Sequence, residues 1–230
     1  MLNSSDLRKA TSFHQIFTYR SQDTPNHVWF YYPEPVNAAY YRELTYKGTD
    51  ALINHLAAQY SNILPKADKN TISKMAPKSI SNPPMVVATL GSNTVQLLLT
   101  GLATQRMQHA YMHISPLNSD AGILSLLKSM DAKVLIADSV FYERAESLAA
   151  QAEGVQLVRM IEFDPVDELE KDLNTFDYDE DRNEAEDSFL LIHTSGTSSS
   201  APKPVWHANN SLLGSPSMPK NQTTITCGLL

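Results

Sequence analysis

The chain has 230 residues, 42% of them hydrophobic and 19% charged, which suits a soluble globular fold of one large or two small domains with a sizeable core. A net charge of −7 and a pI near 5.4 argue against a nucleic-acid partner, although much of that charge sits in residues 177–187. Cys227 is the single cysteine, residues 1–10 lack the apolar core of a signal peptide, and no apolar run approaches the roughly 18 residues of a membrane span, so no intrachain disulfide, no membrane contact and a cytoplasmic location are expected.

Ser12 is placed to cap a short helix through Phe13, Ile16 and Phe17, which the turn residues Asp23-Thr24-Pro25-Asn26 bring to an end. Val28-Trp29-Phe30-Tyr31-Tyr32 is rich in strand formers and stops at Pro33 and Pro35. Its tyrosines read as core or edge packing rather than as ligand contacts. A second strand over residues 41–46 feeds a helix whose Leu52, Ile53, Leu56, Ala57 and Tyr60 share one apolar face. Residues 61–84 carry four lysines with serines and prolines and little periodicity, which reads as an exposed connection with a solvated basic face.

From Met85 the pattern becomes regular. Four apolar strands are expected at 85–90, 111–114, 133–137 and 155–160. The helices between them carry Val95-Leu98-Leu99-Leu102, Ile123-Leu124-Leu127-Met130 and Phe141-Ala145-Leu148-Ala149 on their apolar faces. Asn93, Ser119 and Ser139 are placed to cap those helices. Short apolar strands alternating with helices of ten to fifteen residues imply α/β architecture: right-handed βαβ units and a mainly parallel sheet with helices on both faces. A dinucleotide-binding reading fails, because Gly91-Ser92-Asn93 lacks the second and third glycines and no acidic residue closes the second strand at Ile114-Ser115. His113, at the end of a buried strand, reads as a satisfied structural histidine before it reads as a base.

Residues 161–187 are acidic, with Leu169 and Leu173 alone available to pin a short helix. A mobile solvated loop is expected there rather than a metal site. The apolar run 188–193 then breaks into Thr194-Ser195-Gly196-Thr197-Ser198-Ser199-Ser200-Ala201 and resumes after Pro202-Lys203-Pro204, a strand, hydroxyl-rich loop and second strand. Small side chains let backbone N–H groups approach an anion, hydroxyls add donors, and Lys203 adds a compact positive charge. A Walker A loop is excluded, since five residues and then Pro202-Lys203-Pro204 follow Gly196; a Rossmann fingerprint is excluded because the stretch holds one glycine. Taken alone, a Ser/Thr/Gly/Pro cluster is ordinarily a plain surface loop.

The Thr194-Ser195-Gly196-Thr197 run and its Pro202-Lys203 ending resemble the ATP-phosphate loop of the adenylate-forming superfamily, which includes acyl-CoA synthetases, nonribosomal peptide synthetase adenylation domains and carboxylic acid reductases. His193 and the ending Lys203-Pro204-Val205 look most like the fungal synthetase-like carboxylic acid reductases. Ser199 stands where that family has its second glycine, and one extra residue precedes Pro202. Gly91-Ser92-Asn93, His113-Ile114-Ser115-Pro116 and the Leu44-Thr45-Tyr46 strand also fall where the family has similar segments, so the likeness runs from about Thr11 to about Leu213.

The resemblance implies an incomplete, N-terminal part of an adenylate-forming domain: a helix and strand segment with its lysine-rich connection (1–84), the βαβ array ending in the phosphate-loop hairpin (85–213) and an irregular tail (214–230). ATP, with magnesium, and a carboxylic acid are the implied partners. Thr194, Ser195, Thr197 and Ser198 would donate hydrogen bonds to the β- and γ-phosphates, Gly196 would permit close approach, and Lys203 would offset charge. The family places its adenine pocket, acyl pocket, magnesium-binding acid, ribose-binding aspartate and catalytic lysine downstream of this loop, so no catalytic residue and no metal ligand is assigned. The tail looks truncated or mis-spliced, and these residues alone are expected to bind ATP weakly or not at all and to lack adenylation activity. Phosphopantetheine carrier and reductase domains are further expected partners of the complete enzyme. The competing expectation is a non-catalytic α/β binding or interaction module.

Overall fold

Two sheets of unequal size organise the chain. The computed structural model describes residues 10–34, 37, 39–66, 68, 70–76, 84–180, 182–194 and 202–213. Helix α1 (Phe13–Asp23) is capped at Ser12, where the Gln15 side-chain oxygen accepts the N–H groups of Thr11 at 2.8 Å and of Ser12 at 3.1 Å. Strands β1 (Val28–Pro33) and β2 (Tyr41–Thr45) pair antiparallel and feed α2 (Tyr46–Ser61), whose N-cap Thr45 accepts the Gly48 N–H at 3.1 Å. The five residues read as its apolar face are all buried. The connection expected to be exposed is anchored in part: Leu64 and Ser73 are buried, Ser73 donates to the Met130 carbonyl at 2.8 Å, and Ile72 bridges Met85.

The main body follows as β3 (Val86–Leu90), α3 (Val95–Arg106), β4 (Ala110–Ile114), α4 (Asp120–Ser129), β5 (Val134–Ala137), α5 (Tyr142–Gln151), β6 (Gln156–Arg159), α6 (Pro165–Glu168), β7 (Ser188–His193), β8 (Pro204–Ala208) and α7 (Asn209–Leu213). The six strands lie in the order β6-β5-β3-β4-β7-β8. All neighbours are parallel except β7 and β8. This is the mainly parallel α/β sheet that the alternating pattern implies. Val87, Ile136 and Val158 project into a core shared with α2 and α3, whereas Ala88, Met112, Leu135 and Leu191 project into a second core with α4 and α5. Strands buried on both faces must be apolar at every position, which is why they read as unbroken runs. Among the described residues, no helix is long and apolar enough to cross a membrane.

Two caps differ from expectation. α3 is capped by Thr94, one residue beyond Asn93, with the Leu97 N–H donating to its hydroxyl at 3.3 Å. α5 begins at Tyr142, beyond the reach of Ser139, so the Asp138 carboxylate accepts the Phe141 N–H instead, at 2.9 Å. Ser119 caps α4 as expected.

The largest correction concerns residues 161–187. Among the described residues of that segment Glu168 and Glu184 are buried, and the segment is tied to the N-terminal elements although residues such as Asp167 and Lys171 remain solvated. Arg42 Nη1 donates to Asp164 and Asp167 at 2.7 Å each, His14 Nε2 lies 2.8 Å from Glu184, and the Tyr178 ring lies 4.6 Å from the Arg106 guanidinium carbon. Arg42 and His14 lie more than a hundred positions from the acids they meet, so local composition does not reveal these contacts, whereas Lys171 with Glu168 and Arg182 with Asp187 form local pairs.

Candidate functional site

Because the five strands β6, β5, β3, β4 and β7 are parallel, the turns that follow them gather at one edge of the sheet. The chain leaves β3 for α3 on one face and leaves β4 for α4 on the other, so a crevice opens between the turns after two adjacent strands. Gly91-Ser92 forms one wall, and the connection from Ser115 to Ser119 forms the other.

The first wall is pinned by Asp138, which follows β5 and is nearly buried. Its carboxylate accepts the Ser92 N–H at 2.6 Å while also accepting the Phe141 N–H. A side chain at position 91 would sit 3.2 Å from that carboxylate, so glycine lets the turn close on it. The second wall is pinned by Arg144 from α5, which donates to the carbonyls of Pro116 and Asn118 at 2.6 Å each and to Asp120 at 2.8 Å. Beneath the crevice, the Thr89 hydroxyl donates to Tyr111 Oη at 3.1 Å and lies 3.3 Å from His113 Nδ1. Burial, and secondarily the neighbouring His193, hold the His113 pKa below that of a free imidazole, so it stays neutral at pH 7.

The hydroxyl loop joins β7 to β8 beside this crevice. Its base is closed by two backbone donors: Thr194 N–H to the Lys203 carbonyl at 3.0 Å, and Lys203 N–H to the Thr194 hydroxyl oxygen at 3.1 Å. The Thr194 hydroxyl therefore accepts from the protein and keeps its own hydrogen for donation outward. Lys203 is exposed, and among the described residues its ammonium enters no ion pair. Pro202 rests on α4, since a methyl at Gly122 would lie 3.5 Å from its ring. Thr194 and Lys203 are thus brought together at the carboxyl edge; Ser195, Gly196, Thr197 and Ser198 lie outside the described residues.

Asp138, Arg144 and the contacts of His193 were not legible as parts of this edge. A carboxylate immediately after a run of parallel-strand residues is the one signal that pointed to Asp138. Arg144 carries no such signal, because two of its three partners are backbone carbonyls. Among the described residues, no group of three or more His, Cys, Asp or Glu side chains is arranged to hold a metal ion.

A protein-family profile described as AMP-binding enzyme matches residues 81–223. Among solved structures, the chain is similar to the Klebsiella oxytoca NpsA N-terminal subdomain in complex with 3-hydroxybenzoyl-AMSN, at 19% identity and a TM-score of 0.58, covering 86% of this chain and 41% of that one. It is also similar to a Mycobacterium tuberculosis fatty acyl CoA synthetase, at 19% identity and a TM-score of 0.62, covering 90% and 36% of the two chains. A third is the fatty acyl-adenylate ligase from L. pneumophila in complex with acyl adenylate and pyrophosphate, at 13% identity and a TM-score of 0.62, covering 93% and 33%. At these identities the likeness is one of fold, and the chain spans less than half the length of each structure. No curated protein matches it.

Proposed function

Since the chain belongs to the AMP-binding enzyme family, we propose that it carries the ATP-phosphate site of an enzyme that activates a carboxylic acid as its acyl- or aryl-adenylate. A carboxylate oxygen of the acid attacks the α-phosphorus of ATP, the bond between the α-phosphorus and the bridging oxygen breaks, and pyrophosphate leaves. The observation that carries this reading is the β7–β8 hairpin, closed at Thr194 and Lys203 beside the crevice at the carboxyl edge of a parallel sheet.

In this proposal Thr194, Ser195, Thr197 and Ser198 donate hydrogen bonds to the β- and γ-phosphates, Gly196 allows close approach, and the Lys203 ammonium offsets the charge that grows on the departing pyrophosphate. Magnesium arrives with the nucleotide and is assigned no protein ligand. His193 and the ending Lys203-Pro204-Val205 favour the fungal synthetase-like carboxylic acid reductases as the subtype, with carrier and reductase domains as partners.

Adenylation also needs the adenine, acyl and magnesium sites that the family places beyond this loop. With the base of the loop closed at Thr194 and Lys203, the 230 residues alone are expected to bind ATP weakly rather than not at all, and to give no carboxylate-dependent exchange of labelled pyrophosphate into ATP across a panel of aryl and fatty acids. Exchange above background would contradict that dependence.

A second reading rests on β7 and β8 themselves. Ile192 and Val205 are cross-strand partners, and each leaves nearly half its surface exposed, at 47% and 46%. An open apolar pair at a sheet edge favours a non-catalytic module that binds a partner there.

A further inference from the structure

His193 ends β7 and stands between the hydroxyl loop and the β4–α4 connection. Its Nε2 lies 3.4 Å from the Ser115 backbone nitrogen and 3.5 Å from the Asn118 side-chain nitrogen, while its Nδ1 lies 3.2 Å from the Thr194 carbonyl oxygen. A backbone N–H can only donate and a carbonyl can only accept. Ser115 therefore requires a lone pair on Nε2, and Thr194 requires the proton on Nδ1. The two partners select the same neutral tautomer, so both bonds exist together.

We infer that His193 is a positioning residue: as the Nδ1–H imidazole it locks the first residue of the hydroxyl loop to the wall of the crevice. Thr194 is then held at three points, its N–H by the Lys203 carbonyl, its hydroxyl oxygen by the Lys203 N–H and its carbonyl by His193. The anchor does not move with the loop, because Arg144 clamps the Pro116 and Asn118 carbonyls on the far side of the same connection. Pro202, packed against Gly122 at the start of α4, seats the other end of the loop on the same element. Both ends of the hairpin loop, Thr194 and Pro202, are thereby referred to one rigid connection. The consequence for nucleotide rests on the proposed phosphate-binding role; the lock itself does not.

The test uses the whole chain and separates the two. Nitrogen-15 NMR of the His193 ring at neutral pH is expected to show the Nδ1–H tautomer, and His193→Phe is expected to speed amide exchange at Thr194 and Lys203 by about five- to tenfold, the loss of one net hydrogen bond. His193→Asn keeps a donor for the Thr194 carbonyl and is expected to restore much of the protection, whereas His193→Gln is not. An Nε2–H tautomer, or unchanged exchange in His193→Phe, overturns the lock. ATP titrated into the same samples is expected to bind about five- to tenfold more weakly to His193→Phe than to wild type. If wild type shows no affinity for ATP the phosphate-site reading fails, while the tautomer and exchange results still decide the lock.

Discussion

Arg106→Met is expected to cost about 3–5 kcal/mol of folding stability, read as a lowered urea midpoint at neutral pH. The guanidinium at the end of α3 is fully buried. Nη2 donates to the Asp50 carboxylate at 2.6 Å and to the Thr18 hydroxyl at 3.1 Å, and Nη1 donates to the Asp50 carbonyl at 3.1 Å. One side chain therefore joins α1, α2 and α3, and the Tyr178 ring packed on its face adds the acidic segment. Methionine replaces the volume but leaves the Asp50 carboxylate without its cation. Adding Asp50→Leu to Arg106→Met is expected to recover part of the loss, because exchanging a buried pair for apolar groups is far cheaper than breaking it. A loss below about 1 kcal/mol in the single variant would show that this network does not hold the N-terminal helices to the sheet.

Acidification is expected to unfold the protein through its buried histidines. His109, just before β4, is nearly buried, and its Nδ1 has no hydrogen-bond partner among the described residues. Burial lowers its pKa from 6.5 to about 4. Between those values the unfolded chain binds a proton that the folded chain refuses, so the contribution is fully present above pH 6.5 and is lost as pH falls through 4. That difference amounts to about 3 kcal/mol by pH 4. His14 and His113 are also lowered, burial being the larger cause for each, and they act in the same direction. Urea unfolding of wild type and His109→Leu at pH 7 and pH 4 checks this: the variant is expected to lose about 3 kcal/mol less on acidification. Equal losses in the two proteins would contradict it.

The sheet was legible because βαβ units with both faces covered leave a plain pattern, and the apolar face of α2 followed its 3.6-residue period to the residue. The caps at Ser12 and Ser119 were legible to the residue, and the other two to within one: Asn93 and Ser139 stand beside Thr94 and Asp138, and which side chain meets a free N–H depends on where the chain leaves the preceding strand. The acidic segment was misread because His14, Arg42 and Arg106, which tie it down at Glu184, Asp164 and Tyr178, are distant in sequence. At the site, the hydroxyl run and its lysine marked the hairpin, and Thr194 and Lys203 meet at its base. What holds that base in place, the Arg144 clamp and the imidazole bridge of His193, consists mostly of side chains bonded to backbone, which no local motif announces.

The central claim is that the loop closed by Thr194 and Lys203 grips phosphate. The most direct measurement is the melting temperature of the whole chain with and without 10 mM MgATP, in wild type and in Lys203→Gln. With a Kd on the order of 1 mM, ligand linkage adds about 1.4 kcal/mol, which raises the wild-type melting temperature by about 3–5 °C. Lys203→Gln, whose backbone can still close the loop, is expected to melt like wild type without nucleotide and to lose most of the rise. No rise in wild type, or the same rise in both proteins, would contradict the account.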